Sequence, residues 1–118
     1  ENQAPALFWQ GQALDLGDRV TRLSGVTYVD AAALAAALGW TGETGEDGVL
    51  RLSDGLHKIE LPVGRRALLD GMLVRLSGPT VERSGGRCLP LSDLCPLLGV
   101  QATVTDQGVE LAPRQAAL

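Results

Sequence analysis

Two stretches of this chain repeat one another sixty residues apart, and that echo limits what the chain can fold into. Residues 26–40 read V-T-Y-V-D-A-A-A-L-A-A-A-L-G-W, and residues 87–100 read R-C-L-P-L-S-D-L-C-P-L-L-G-V. At the same offset Gly11 pairs with Gly71, Leu16 with Leu76, Gly25 with Gly85, Leu34 with Leu94, Gly39 with Gly99 and Gly48 with Gly108. The agreements fall on turn glycines and on leucines at inward positions, where a repeated structure constrains sequence most.

Each copy has the same local grammar. Thr27, Tyr28 and Val29 favour extended backbone. Asp30 can accept hydrogen bonds from the free N–H groups of a first helical turn. Residues 31–38 are only Ala and Leu, the best helix formers, and Gly39 suits a left-handed stop. A helix of two turns is unstable alone in water, so it must lie on other structure. The second copy carries a conflict, because Pro96 falls in the expected helix interior. Taking Asp93 as the N-cap would move Pro96 into the first turn, where its missing N–H costs little.

Around the helices the sequence predicts hairpins. Residues 6–9 and 12–16 flank Gln10-Gly11, and residues 67–69 and 72–76 flank Asp70-Gly71. Residues 49–53 and 57–61 alternate about Asp54-Gly55, and residues 81–83 and 87–89 flank the Ser84-Gly85-Gly86 turn. Residues 42–48, G-E-T-G-E-D-G, read as an acidic loop between short strands. Residues 17–25 read as a polar loop with some strand near Val20. The expected fold class is α+β: two pseudo-symmetric repeats of mainly antiparallel β-strands, each with one short helix packed on the sheet. The expected module spans 6–112, with repeats of about 6–62 and 63–112 and flexible ends at 1–5 and 113–118.

The order of a strand, a short hydrophobic motif, a helix ending in A-L-G or L-L-G and two further strands resembles the copper amine oxidase N-terminal-type domain. This is a tandem-repeat module of secreted bacterial proteins. Cys88-Leu89-Pro90-Leu91 resembles that family's Y-V-P-L motif with Cys for Tyr, and Ser92 stands for the Arg that follows it. Tyr28-Val29-Asp30-Ala31 resembles it with Asp for Pro. Leu69-Asp70-Gly71-Met72-Leu73 is similar to the family's hairpin between repeats. The resemblance implies an attachment, stalk or surface-binding module and implies no copper chemistry in this chain.

The chain carries ten basic and fourteen acidic side chains, a net charge of −4, which argues against general nucleic-acid binding. No apolar run is long enough to span a membrane. The opening E-N-Q-A-P is compatible with a mature end after export, and the expected location is the periplasm or cell surface.

Site candidates are few. His57 is the sole histidine, and Met72, Cys88 and Cys95 are scattered, so no metal or cofactor set is expected. Glu43, Glu46 and Asp47 lack the ordered ligand spacing of a calcium loop and read as solvated. No carboxylate pattern, nucleophile elbow or phosphate cradle is present, so no catalytic residue is assigned. Cys88 and Cys95 replace Tyr28 and Ala35 of the first copy and are both read as inward. A Cys88–Cys95 disulfide is expected in an exported protein, with two buried thiols as the alternative. Arg65, Arg66, Arg75, Arg83 and Arg87 form the expected binding surface for an acidic polymer or partner protein, with Trp9 as an aromatic contact; a solubilising surface is the competing reading.

The function expected is therefore a non-catalytic cell-envelope module that attaches, spaces or docks a larger secreted or surface complex. Its partner would be an envelope protein complex or a cell-wall polymer. The alternatives are a copper-handling or redox accessory subunit and a cell-wall polysaccharide-binding module.

Overall fold

The computed structural model describes residues 4–83 and 85–114. The chain opens with β1 (Leu7–Trp9) and β2 (Gln12–Ala13), then a short 3-10 turn at Gly17–Arg19. The hairpin of β3 (Val20–Leu23) and β4 (Val26–Asp30) leads directly into α1 (Ala31–Ala37). Next come β5 (Thr41–Thr44), β6 (Leu50–Ser53), β7 (Lys58–Leu61), β8 (Arg66–Leu69) and β9 (Met72–Arg75). The hairpin of β10 (Val81–Arg83) and β11 (Gly86–Pro90) leads into α2 (Leu91–Leu97), and β12 (Val100–Thr105) and β13 (Gly108–Pro113) close the order. The sixty-residue offset carries over to the elements: α2 lies at the positions of α1 plus sixty, and β11 at those of β4 plus sixty. The hairpins turn alike. Gln10 and Gly11 have φ of 51° and 85°, and Asp70 and Gly71 have the same two values. Two successive positive φ angles make the tight turn whose twist matches paired strands, and the second place wants glycine.

The central sheet has the order β10-β11-β4-β3. Here the two copies meet. Antiparallel β4 and β11 pair Tyr28 with Pro90, Val29 with Leu89 and Asp30 with Cys88. Val29 and Leu89 are also the residues related by the offset, since 29 plus 60 is 89. An approximate two-fold axis therefore passes between them. Both are fully buried.

The α+β class is corrected by the structure. The chain is mainly β, with 49% strand and 15% helix arranged as three sheets. Nor does each half own the sheet its helix covers. One outer sheet, β12-β13-β1-β2, joins strands from the two ends of the chain, and the other, β5-β6-β7-β8-β9, runs through its middle, so each takes strands from both repeats. In the first, β13 pairs in parallel with β1. In the second, β7 stands between β6 and β8 and pairs antiparallel with both. The physical reason is edge satisfaction: a two-stranded hairpin is marginal alone and gains stability by joining another. Residues 20–23, read as mostly loop, are a strand because each pairs with β4. The expected flexible ends fall mostly at 1–3 and 115–118, outside the described residues, while β13 runs one residue past the expected boundary at 112.

The helices pack on the central sheet and bury Leu34 and Leu94 completely. The Asp30 carboxylate accepts from the Ala33 N–H at 3.0 Å and caps α1. It is the one buried charged side chain among the described residues. Gly86 makes room for it, because a Cβ there would overlap its Oδ2. At the other end Gly39 takes φ 95°, its N–H bonds the Ala36 carbonyl, and the Trp40 N–H bonds the Ala35 carbonyl. Those two bonds satisfy carbonyls that a helix end leaves free.

In α2 the expected Asp93 cap is replaced by another arrangement. Pro90 is the N-cap residue and Pro96 lies inside the helix. The Asp93 carboxylate instead accepts from Ser77 N–H, Ser77 Oγ and Gly78 N–H, at 3.0, 2.9 and 3.3 Å to Oδ2. It is engaged outside its own helix, and burial of Leu91, Leu94, Cys95 and Leu97 offsets the hydrogen bond lost at Pro96.

Leu34→Ala and Leu94→Ala are each expected to lower unfolding free energy by about 2–5 kcal/mol, as core truncations do. Urea denaturation checks this, and an unchanged midpoint for either variant would remove that helix from the core.

Candidate functional site

The expected arginine surface divides into residues that are spent on the fold and residues that are free. Arg87, on β11, is spent. Its guanidinium donates to the carbonyls of Gly48 and Leu61 at 2.7 and 2.6 Å and to Glu82 Oε2 at 2.7 Å. Only 10% of its side chain is exposed. It ties the central sheet to the five-stranded sheet, so its place is in the scaffold and not on a binding surface. Arg83 is exposed on β10, at an edge of the central sheet. Trp9 is partly buried against the core from β1, in the four-stranded outer sheet, whereas Arg66 and Arg75 lie in the five-stranded one.

Arg65, Arg66 and Arg75 do come together. They line one open concavity of about 240 Å³ with Leu73 and Leu76. The cause is the two-residue turn at Asp70-Gly71, which sets the register of β8 and β9 and places Arg66 directly opposite Arg75. Like charges directly opposite one another across a ladder are destabilising. None of the three makes an ion pair or a side-chain hydrogen bond among the described residues. Leu73 adds an exposed apolar side chain, 63% accessible, and Leu76 forms a buried floor. The concavity is smaller than an ordinary small-molecule pocket of about 300–1,000 Å³. It suits a charged side chain or chain segment laid across it better than an enclosed metabolite. Three guanidinium forks on such a rim match carboxylate or phosphate oxygens. The Arg66–Arg75 register could have been read from the turn signal, whereas Leu76 as the floor depends on the fold.

A second cleft, of about 470 Å³, holds Arg19, Asp30, Glu82 and Arg87. Asp30 caps α1 and Arg87 holds Glu82 and two carbonyls, so these groups serve the scaffold.

The remaining candidates are apart. Cys88 and Cys95 are both buried free thiols, so the expected bridge is replaced by its alternative. The geometry explains why. Cys88 neighbours Leu89 on β11, and adjacent strand residues point to opposite faces. Leu89 and Cys95 belong to the same apolar core, which does not include Cys88. Cys88 pairs instead with Asp30 on the other face. Burial pushes both thiols up to about 11, and the Asp30 charge adds to the effect at Cys88. Neither is a ready nucleophile.

His57 is exposed, and its Nδ1 lies 2.8 Å from Asp70 Oδ2. Asp70 Oδ1 also accepts from the Lys58 N–H, so this cluster closes the end of the β7–β8 pair. In the acidic loop, Asp47 is held by Arg51 at 2.7 Å and its carboxyl is drawn down to about 2, mainly by that hydrogen bond. Among the described residues no three His, Cys, Asp or Glu side chains form a metal-holding group, and no helix is long and apolar enough to cross a membrane.

No family model, curated protein or solved structure matches the chain.

Arg87→Ala is expected to cost about 3 kcal/mol, because it strips a charged donor from two part-buried carbonyls. Arg87→Lys should recover only part of this, since an ammonium lacks the planar fork. Chemical denaturation of both variants checks the ranking. For His57, the hydrogen bond to Asp70 raises the imidazole pKa above its ordinary 6.5. The pair's contribution is full below pH 6.5 and fades as pH rises through the raised folded value. Asp70 is shifted down, mainly by the Lys58 N–H, so its own contribution is present above the ordinary 3.8 and fades as pH falls. An NMR titration should place the His57 midpoint above 6.5, and Asp70→Asn should return it toward that value.

Proposed function

We propose that this chain is a non-catalytic cell-envelope module that attaches, spaces or docks a larger secreted or surface complex, using the Arg65, Arg66 and Arg75 rim to hold an anionic partner. The observation that carries the reading is the opposed Arg66–Arg75 pair, a local repulsion in which neither arginine has an ion-pair partner among the described residues. A solubilising surface disperses its charges, whereas this one gathers three around exposed and buried leucines. The sequence resemblance to the copper amine oxidase N-terminal-type domain supports the same class of role and an exported location. The cell-wall polysaccharide reading shares this site and differs in the partner. The copper-handling reading gains no support from the donor set. His57 is engaged with Asp70, both thiols are buried and protonated, and Met72 stands apart from the cysteines.

The test is retention of the purified chain on isolated cell envelopes. The parent should be retained at low salt and released as salt rises. The double variant Arg66→Glu, Arg75→Glu should lose retention at least tenfold while melting as the parent does. Retention unchanged by the double substitution overturns the reading.

A further inference from the structure

The arginine rim borders an unpaired strand edge, and the two features together name a kind of ligand. The β9 strand is the last of its sheet, with β8 on one side and, among the described residues, no strand on the other. The tight turn fixes which main-chain groups are free. Leu69 and Met72 flank the turn and exchange hydrogen bonds, and the next pair to do so is Ala67 with Val74. The Asp70 N–H bonds the Lys58 carbonyl, so the even-numbered main-chain groups of β8 face β7 and its odd-numbered ones face β9, which agrees with this pattern. The N–H and C=O groups of Leu73 and Arg75 therefore point outward from the sheet. Their side chains share the outer face with Arg66 and Leu68, since facing residues of paired strands project to one side.

We propose that the outer edge of β9 is a strand-addition site for an extended acidic peptide segment, deepening the docking reading above. The peptide main chain pairs with Leu73 and Arg75. Its outward side chains fall opposite those two residues, two positions apart along the peptide. An aliphatic side chain covers Leu73, and a carboxylate meets Arg75 with Arg66 and Arg65 beside it. The edge supplies main-chain affinity and the arginines supply selectivity, as in other β-augmentation sites. A peptide fits better than an acidic polysaccharide because only a peptide can satisfy the free amides and carbonyls in register. The arginines also keep β9 from pairing with a second β9, because such a pair would set Arg75 against Arg75 or its neighbours.

The experiment titrates the full chain with a capped heptapeptide, Thr-Glu-Thr-Val-Thr-Glu-Thr, followed by amide NMR. The expected result is saturable shifts centred on Leu73 and Arg75. Arg66→Glu with Arg75→Glu should weaken binding at least tenfold. Leu73→Pro should do the same, since it removes an N–H that the native ladder does not use and proline is tolerated on edges. If Leu73→Pro does not fold, the peptide N-methylated at its Val and flanking Thr amides carries the same test from the ligand side, with at least tenfold weakening expected. Polygalacturonate is the polysaccharide comparator. Equal binding of the N-methylated and parent peptides, or shifts from polygalacturonate alone, overturns strand addition while leaving the docking reading to the envelope-retention result. Absence of peptide binding at millimolar concentration also overturns it.

Discussion

The structure depends on the pairing of β4 with β11. These strands are the two copies of one sequence element, and they meet antiparallel at Val29 and Leu89. Each strand passes without a loop into its helix, so the pairing also sets where α1 and α2 lie. Both helices are too short to persist alone and take their stability from this sheet. A slip of one residue in that register would turn one strand over relative to the other, sending Val29 or Leu89 to the opposite face and bringing Asp30 or Cys88 toward the apolar core. The buried leucines on both sides make such a slip expensive.

Around that centre the two copies have diverged in how they close their ends. The first caps its helix with Asp30, which requires the absence of a side chain at Gly86 in the second. The second has Pro90 in the equivalent place and sends Asp93 to the turn at Ser77 and Gly78. A residue of one half thus depends on a residue of the other, which is why the halves form one body. Arg87 adds a further tie, reaching from the central sheet to the backbone at Gly48 and Leu61.

The same contrast separates scaffold from surface. Arg87 and Arg66 have the same chemistry, yet their surroundings give them opposite roles. Arg87 is enclosed by two carbonyls and a carboxylate, and its charge is consumed internally. Arg66 faces Arg75 across an outer ladder, and the charge of that pair is directed to solvent. Clustered charge without an ion-pair partner, beside an edge strand, is what distinguishes this corner among the described residues.

Local chemistry was enough to read much of the chain from its sequence. The Ala and Leu run with Asp30 before it and Gly39 after it specifies a capped helix within a few residues. The Asp70-Gly71 dipeptide specifies a two-residue turn, and with it the meeting of Arg66 and Arg75. Only the tertiary structure decided what depends on residues far apart. The α+β expectation failed because strand content rose wherever a segment such as residues 20–23 found a partner, and propensity does not report partners. The parallel contact of β1 with β13, the spending of Arg87 and the separation of Cys88 from Cys95 all follow from which face meets which. Seven residues of sequence separation suggested that the two thiols were close. The pleat of β11 set Cys88 on one side of the sheet and α2 carried Cys95 to the other, and that alternation is a property of the assembled sheet rather than of the residues themselves.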